Sequence, residues 1–384
     1  MTTLRRITPW LLLGVFALEA PAQQQRLNQY DTRYYELHTS LDAEHAREAI
    51  VRITAMAELY NDRTSGFAGQ ITRKFPFYLY TSAQDYRAAG GMPNTAGMYD
   101  GRKLMAWTPR EPDERFWSVV QHEGFHQFVD RVIRGNIPVW VNEGLAEYFG
   151  AARFTGDGYV TARVPRDYLA AIQAVLAAGR TISVEQIMNL GTGAWNHSVT
   201  SGGGAIHYAQ AWSMTHFLAH ANPRYQKAFV AFINDCSRGA GWQVAWENNF
   251  GRGTREFEQQ WRDYWLKMSP QDVERKEVEV TVATLTSFLA RAVSQDQEFA
   301  SFDDFAQKAE AGKLMAHRDD WLPPSLLERA LSAAARGGKW ELRRRRGYEF
   351  SCTLKDGSSL TGAFALSGKR VRRGSVTVRV LGAD

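Results

Sequence analysis

The chain has 384 residues, 44% of them hydrophobic and 23% charged, with a formal net charge of +5. That composition excludes a disordered or fibrous protein, and the length allows one large domain with an appendage or two modest ones. The charge is uneven: Lys339 to Asp384 holds eleven Lys and Arg against four Asp and Glu, a net of +7, which leaves −2 on residues 1–338.

The first residues read as an export signal cut after Ala22. Arg5 and Arg6 precede an apolar run from Trp10 to Leu18, and Ala20-Pro21-Ala22 is a small-x-small cleavage site. The run is shorter than the roughly 20 apolar residues that span a bilayer. The expected location is therefore secreted, periplasmic or elsewhere in the cell envelope. Cys236 and Cys352 are the only cysteines. They read as two buried thiols or, less favoured, one disulfide, and neither supports a metal site.

In chain order, Arg33 to His38 alternates as a strand does, and Leu41 to Tyr60 places Ala46, Ile50, Ile53, Ala57 and Tyr60 on one helical stripe. Phe75 to Tyr80 reads as a buried strand, followed by Ser82 and Asp85 as a capping pair. Two short strands between Gly97 and Trp107 flank the turn dipeptide Asp100-Gly101, and one long helix is expected from Asp113 to Arg134, stopped by Gly135-Asn136. From Tyr168 the signals are helical, with starts at Ser183, Asn222-Pro223 and Thr254. The ladders Trp242, Trp246, Phe250 and Phe257, Trp261, Trp265 have the spacing of core-facing stripes. Gly337-Gly338 ends the last helix, and Trp340 to Leu381 alternates in short strands around Lys355-Asp356-Gly357 and Ser367-Gly368. The expected organisation is an αβ lobe over about 33–150, a helical lobe over about 160–338, and a basic antiparallel β module over 339–384.

The stretch Gln121-His122-Glu123-Gly124-Phe125-His126-Gln127 contains HExxH. Residues four apart on a helix lie about 5–6 Å apart at Cβ, so His122 and His126 can reach one metal ion. Glu123 is rotated about 100° from His122 and flanks that ion. There it suits the base of a hydrolysis, because bound zinc brings water to a pKa of about 7 and a nearby carboxylate takes its proton. Sixteen residues on, Trp140-Val141-Asn142-Glu143-Gly144-Leu145-Ala146-Glu147-Tyr148-Phe149 follows a turn at Gly135 to Pro138. A second helix can return Glu143 as third ligand, and three protein ligands plus one water make a catalytic zinc site. Glu147, one turn on, can accept the free N–H of a ligand histidine, with His122 the favoured partner, or stand as a solvated helix charge.

These residues resemble the gluzincins, zinc peptidases that join HExxH to a distal Asn-Glu motif; the run from Trp140 to Phe149 is especially similar to bacterial peptidase-MA-like families. The resemblance spans about Tyr34 to Met268, including His207-Tyr208-Ala209-Gln210-Ala211-Trp212 and the closing run from Phe250 to Trp265. It implies an α+β, thermolysin-like zincin domain, in which a small sheet and the active-site helix precede a helical lobe, with the small β module appended. It also implies an edge strand near Leu104 to Trp107, His122, His126 and Glu143 as Zn2+ ligands, Glu123 as base and Glu147 behind a ligand. Family members use a Tyr or His of the second lobe against the oxyanion; Tyr208 is the candidate here, with His207 and His197 behind it, or else a core tyrosine. A GxMEN-like exopeptidase signature is missing, which leaves endo- or exopeptidase open.

The runs Arg343-Arg344-Arg345-Arg346 and Lys369-Arg370-Val371-Arg372-Arg373 would give the module a positive face for an anionic envelope polymer, or else a solvated surface. No signature of specific nucleic-acid binding accompanies them. The expected function is an exported zinc-dependent hydrolase of peptides or proteins. The rivals are a hydrolase of non-peptide amides and a non-enzymatic polyanion binder with a structural zinc.

Overall fold

The computed structural model describes residues 26–108, 112–202, 204–344 and 347–382; the expected export signal lies outside them, as do Arg345 and Arg346. The chain opens with β1 (Asn28–Asp31), β2 (Tyr35–Thr39), α1 (Ala43–Arg63), β3 (Phe75–Tyr80), α2 (Ala83–Ala88), β4 (Gly97–Tyr99) and β5 (Leu104–Trp107). Its five strands run in the order β1-β2-β3-β5-β4. Strands β2, β3 and β5 are parallel, with Leu37, Phe77 and Leu104 in register, while β1 and β4 are antiparallel edges. The alternation of apolar residues turns Leu37, Phe77 and Leu104 into one buried cluster with Ile53, Ala57 and Tyr60 of α1.

The expected sheet edge is corrected here. The edge of the sheet beside the motif helix is β4, not Leu104 to Trp107: β5 pairs with β3 on one side and β4 on the other. The reversal at Gly101, with φ +85°, folds β4 to the outside. Strand β1 forms ahead of the first strand read from the sequence, Arg33 to His38. Its sequence Asn-Gln-Tyr-Asp is polar because it is a mostly exposed edge.

Helix α3 (Glu114–Phe128) starts at Asp113, whose carboxylate accepts the Phe116 N–H at 2.8 Å. It ends earlier than expected, in a π-turn over Val129–Ile133 closed by the Arg134 N–H on the Val129 carbonyl at 2.7 Å. Next come α4 (Val139–Gly150), the hairpin β6 (Arg153–Phe154) and β7 (Tyr159–Val160), then α5 (Arg166–Ala177), α6 (Val184–Met188), α7 (Thr192–Thr200), α8 (Gly204–His220), α9 (Pro223–Ser237), α10 (Trp242–Phe250) and α11 (Arg255–Lys267). Ser183 and Gln186 form a capping box, and Asn222 caps α9. The indoles of Trp261 and Trp265 are buried and donate to the Oγ and carbonyl of Ser213, so that aromatic ladder is core.

The chain continues with α12 (Pro270–Ser294), α13 (Phe302–Glu310), α14 (Pro324–Ala334), β8 (Lys339–Arg344), β9 (Tyr348–Thr353), β10 (Ser359–Ala363), β11 (Leu366–Ser367), β12 (Arg370–Val371) and β13 (Thr377–Leu381). An antiparallel sheet of order β13-β10-β9-β8 closes the fold, which is mixed α/β. Tyr348 and Phe350 of β9 share one apolar cluster with Leu285, Leu289, Phe305 and Ala330, so core packing runs across position 338. The basic runs meet carboxylates of the same chain: Arg343 pairs with Glu341, Arg344 with Glu298, Lys369 with Asp296, Arg370 with Asp319 and Arg373 with Glu58. Cys236 and Cys352 are both free and buried. Among the described residues no helix is long and apolar enough to cross a membrane.

Candidate metal centre

The motif helix is fixed by contacts along its buried side. Tyr60 of α1 donates to the Gln121 carbonyl at 2.5 Å, and a Cβ on Gly124 would lie 2.9 Å from Met56 Cε. Helix α4 is tied across α3 by Ser118 Oγ donating to the Gly150 carbonyl at 2.7 Å and by the Gln121 amide donating to the carbonyls of Phe149 and Ala152 at 2.7 and 3.1 Å. On the other side of α4, Gly144 lies so near α8 that a Cβ there would stand 2.5 Å from the Ala211 carbonyl oxygen. The position of Glu143, its neighbour, is thereby set by two packed helices.

His122, His126 and Glu143 converge. Their Nε2 atoms are 3.1 Å apart, and Glu143 Oε2 lies 3.6 Å from the first and 3.4 Å from the second. A tetrahedral ion with bonds of about 2.0–2.2 Å needs donor atoms about 3.3–3.6 Å apart, and this triangle is close to that. Glu143 Oε2 is buried and makes no hydrogen bond. An orphaned carboxylate oxygen facing two ring nitrogens is costly unless a cation completes it. Among the described residues this is the one group of His, Cys, Asp and Glu side chains with metal-ligand spacing.

The next layer selects the tautomers. His122 Nδ1 lies 3.2 Å from Glu147 Oε1, and His126 Nδ1 lies 3.2 Å from Asn142 Oδ1. Both oxygens are acceptors, so each ring places its N–H outward and presents the Nε2 lone pair to the centre. Two nitrogens and an oxygen then aim lone pairs at one point, an arrangement that repels itself and attracts a cation. Burial opposes a charge on His122, but Glu143 and Glu147 outweigh it and push its pKa up to about 10. Glu143, against its own burial, is held down to about 2 by the two imidazoles. Tyr168 of α5 donates to the second oxygen of Glu147 at 2.8 Å.

Glu123 faces the sheet edge, where its Oε2 accepts the backbone N–H of Tyr99 at 2.8 Å. The Tyr99 hydroxyl in turn donates to Asp130 in the π-turn at 2.6 Å, so strand β4 is pinned to the motif helix at both ends of one residue. Tyr208 of α8 sits with its ring centroid 6.2 Å from that of His122 and packs edge-on against Trp195. Burial, then the charge of Glu143, pushes its pKa up to about 12, so it remains a phenol and a donor at neutral pH. His207 turns toward Trp195, with a buried Nδ1 that has no partner, and His197 is exposed on α7.

Residues 117–241 match a family described as "protein of unknown function (DUF1570)". That stretch contains His122, Glu123, His126, Glu143, Glu147 and Tyr208, but not Tyr99 of the sheet edge. Comparison with curated proteins gives no match. Three contributors went unassigned in the sequence: Asn142, Tyr168 and the backbone of Tyr99. Only Asn142 had a signal, its place beside Glu143.

Proposed function

We propose that the protein is an exported zinc-dependent hydrolase of peptide or protein substrates, a gluzincin of thermolysin-like plan with His122, His126 and Glu143 as ligands. The observation that carries this reading is the convergence of three lone-pair donors near tetrahedral spacing, with the Glu123 carboxylate next to His122 on the same helix and held through one oxygen by the Tyr99 amide. Bound zinc would supply Lewis acidity, polarising a carbonyl and making water easier to deprotonate. Glu147 and Asn142 hold the two ring protons outward and keep both Nε2 atoms available. Glu123 is anchored through Oε2 to the Tyr99 amide, and its other oxygen is the atom assigned to take the proton from the attacking water and pass it to the leaving amine. Tyr208 is the assigned donor to the oxyanion that forms as the carbonyl is attacked.

The rival in which the basic strands bind an anionic polymer and the zinc is structural is less well supported. Four of the cations, Arg344, Lys369, Arg370 and Arg373, are engaged with Glu298, Asp296, Asp319 and Glu58 of the chain itself, and a structural site needs no carboxylate base beside it. Elemental analysis of protein purified without added metal tests the reading. It expects about one zinc per chain, loss of that zinc in Glu143→Ala, and in Glu123→Gln retained zinc with turnover of a peptide library lowered by roughly 10²- to 10⁴-fold. Absence of zinc from the parent protein, or full turnover in Glu123→Gln, would reject it.

A further inference from the structure

The two oxygens of Glu147 have separate duties. Oε1 meets His122 Nδ1 at 3.2 Å, and Oε2 accepts the Tyr168 hydroxyl at 2.8 Å. A carboxylate on a flexible side chain rotates about its last bond, and a single hydrogen bond does not fix the plane of the group. Two bonds on opposite oxygens do. Tyr168 is itself held from outside the centre: its ring packs edge-on against Trp212 of α8, with centroids 5.1 Å apart and planes at 84°. Trp212 is fully buried, and Leu169, Ile172 and Leu176 seat α5 in the same core. A line of contact therefore runs from the α5–α8 interface through Tyr168 and Glu147 to the ring of His122.

Chemically, the direction of the phenol bond matters. Tyr168 can give Glu147 only a proton-donor contact, because a carboxylate has nothing to donate. The hydroxyl thus steadies the carboxylate in its charged form, the form that accepts the His122 N–H and raises the basicity of Nε2 on the far side of the ring. Burial and the Glu147 charge both push the phenol's pKa well above its ordinary value, so it keeps its proton across the working range.

We infer that Tyr168 is a positioning residue for the metal centre, acting on His122 only through Glu147 and setting how tightly the site holds its ion. The inference rests on the zinc reading, and its experiment separates the two. Zinc dissociation constants would be measured by chelator competition for the parent chain, Tyr168→Phe, Glu147→Ala and the double variant. Phenylalanine keeps the ring against Trp212 and removes only the hydroxyl. Loss of the direct partner of a ligand histidine costs about 10- to 100-fold in metal affinity, which sets the expectation for Glu147→Ala. One layer further out, Tyr168→Phe should weaken zinc by about 3- to 10-fold, and in the Glu147→Ala background it should have no further effect.

Unfolding midpoints of the metal-free proteins accompany the titrations, and Tyr168→Phe is expected to leave that midpoint nearly unchanged. If the parent chain binds no zinc, the hydrolase reading fails. If it binds zinc and Tyr168→Phe weakens it equally with and without Glu147, or not at all, the positioning role fails while the zinc reading stands. A weakening that only tracks a lowered midpoint overturns it too, because that is a packing effect.

Discussion

Replacing Gly144 by alanine opposes two effects of known sign. In a helix interior alanine is favoured over glycine by about 0.5–1 kcal/mol, so a free-standing α4 would gain stability. Here the added Cβ would lie 2.3 Å from Thr215 Oγ1, 2.5 Å from the Ala211 carbonyl oxygen and 2.9 Å from its carbon. Two of these are backbone atoms of α8 and cannot rotate away, so the helices must part by about 1 Å to restore ordinary contact. Forcing an extra methyl into a close-packed interface costs about 1–3 kcal/mol, occasionally more. The crowding term therefore exceeds the propensity gain, with an expected net loss of about 1–2 kcal/mol. Glu143 is the preceding residue, and ligand atoms tolerate displacements of only about 0.2 Å, so zinc affinity should fall at least about tenfold as well. Urea unfolding of the metal-free protein and chelator competition measure the two effects. Gly158→Ala is the control, since a Cβ there meets nothing within 4 Å. A Gly144→Ala variant as stable as its parent, with unchanged zinc affinity, would refute the claim that the α4–α8 approach positions Glu143.

The metal-free protein should also show a pH signature. His122 has its pKa raised from 6.5 to about 10, so its contribution to stability is complete below pH 6.5 and is lost as pH rises toward 10. Glu143, lowered from 4.5 to about 2, contributes above pH 4.5 and loses that contribution as pH falls toward 2. The unfolding midpoint should therefore decline on both sides, and zinc should bind progressively more tightly as pH rises from 6.5 toward 10, because below that pKa it must displace the His122 proton. A zinc dissociation constant independent of pH over that interval would contradict the pairing. In the C-terminal sheet, Phe350 is fully buried and meets Phe305 edge-on at 4.9 Å and Phe302 at 5.7 Å. Phe350→Ala should cost about 3–5 kcal/mol in a single urea transition; a loss below about 1 kcal/mol, or a second transition, would show that the strands fold apart from the helices.

The sequence alone determined what depends on local spacing. His122 and His126 are four residues apart on one capped helix, so their convergence is a property of helical geometry. The same holds for the stripe of α1, the strand Phe75–Tyr80, the capping box at Ser183 and the core ladder Phe257, Trp261, Trp265. Tertiary structure decided what depends on how two elements approach each other. Glu143 meets the histidines because Gly144 lets α4 press on α8, and Glu123 is anchored because β4, not β5, forms the sheet's edge. Tyr168 reaches Glu147 only through the packing of α5 on Trp212. Within the basic runs, Arg344 and Arg373 meet Glu298 and Glu58, partners distant in sequence. Periodicity encodes which face of an element is apolar, but not which polar side chain on another element that face will bring near. That is settled only when the helices pack at a particular angle and depth.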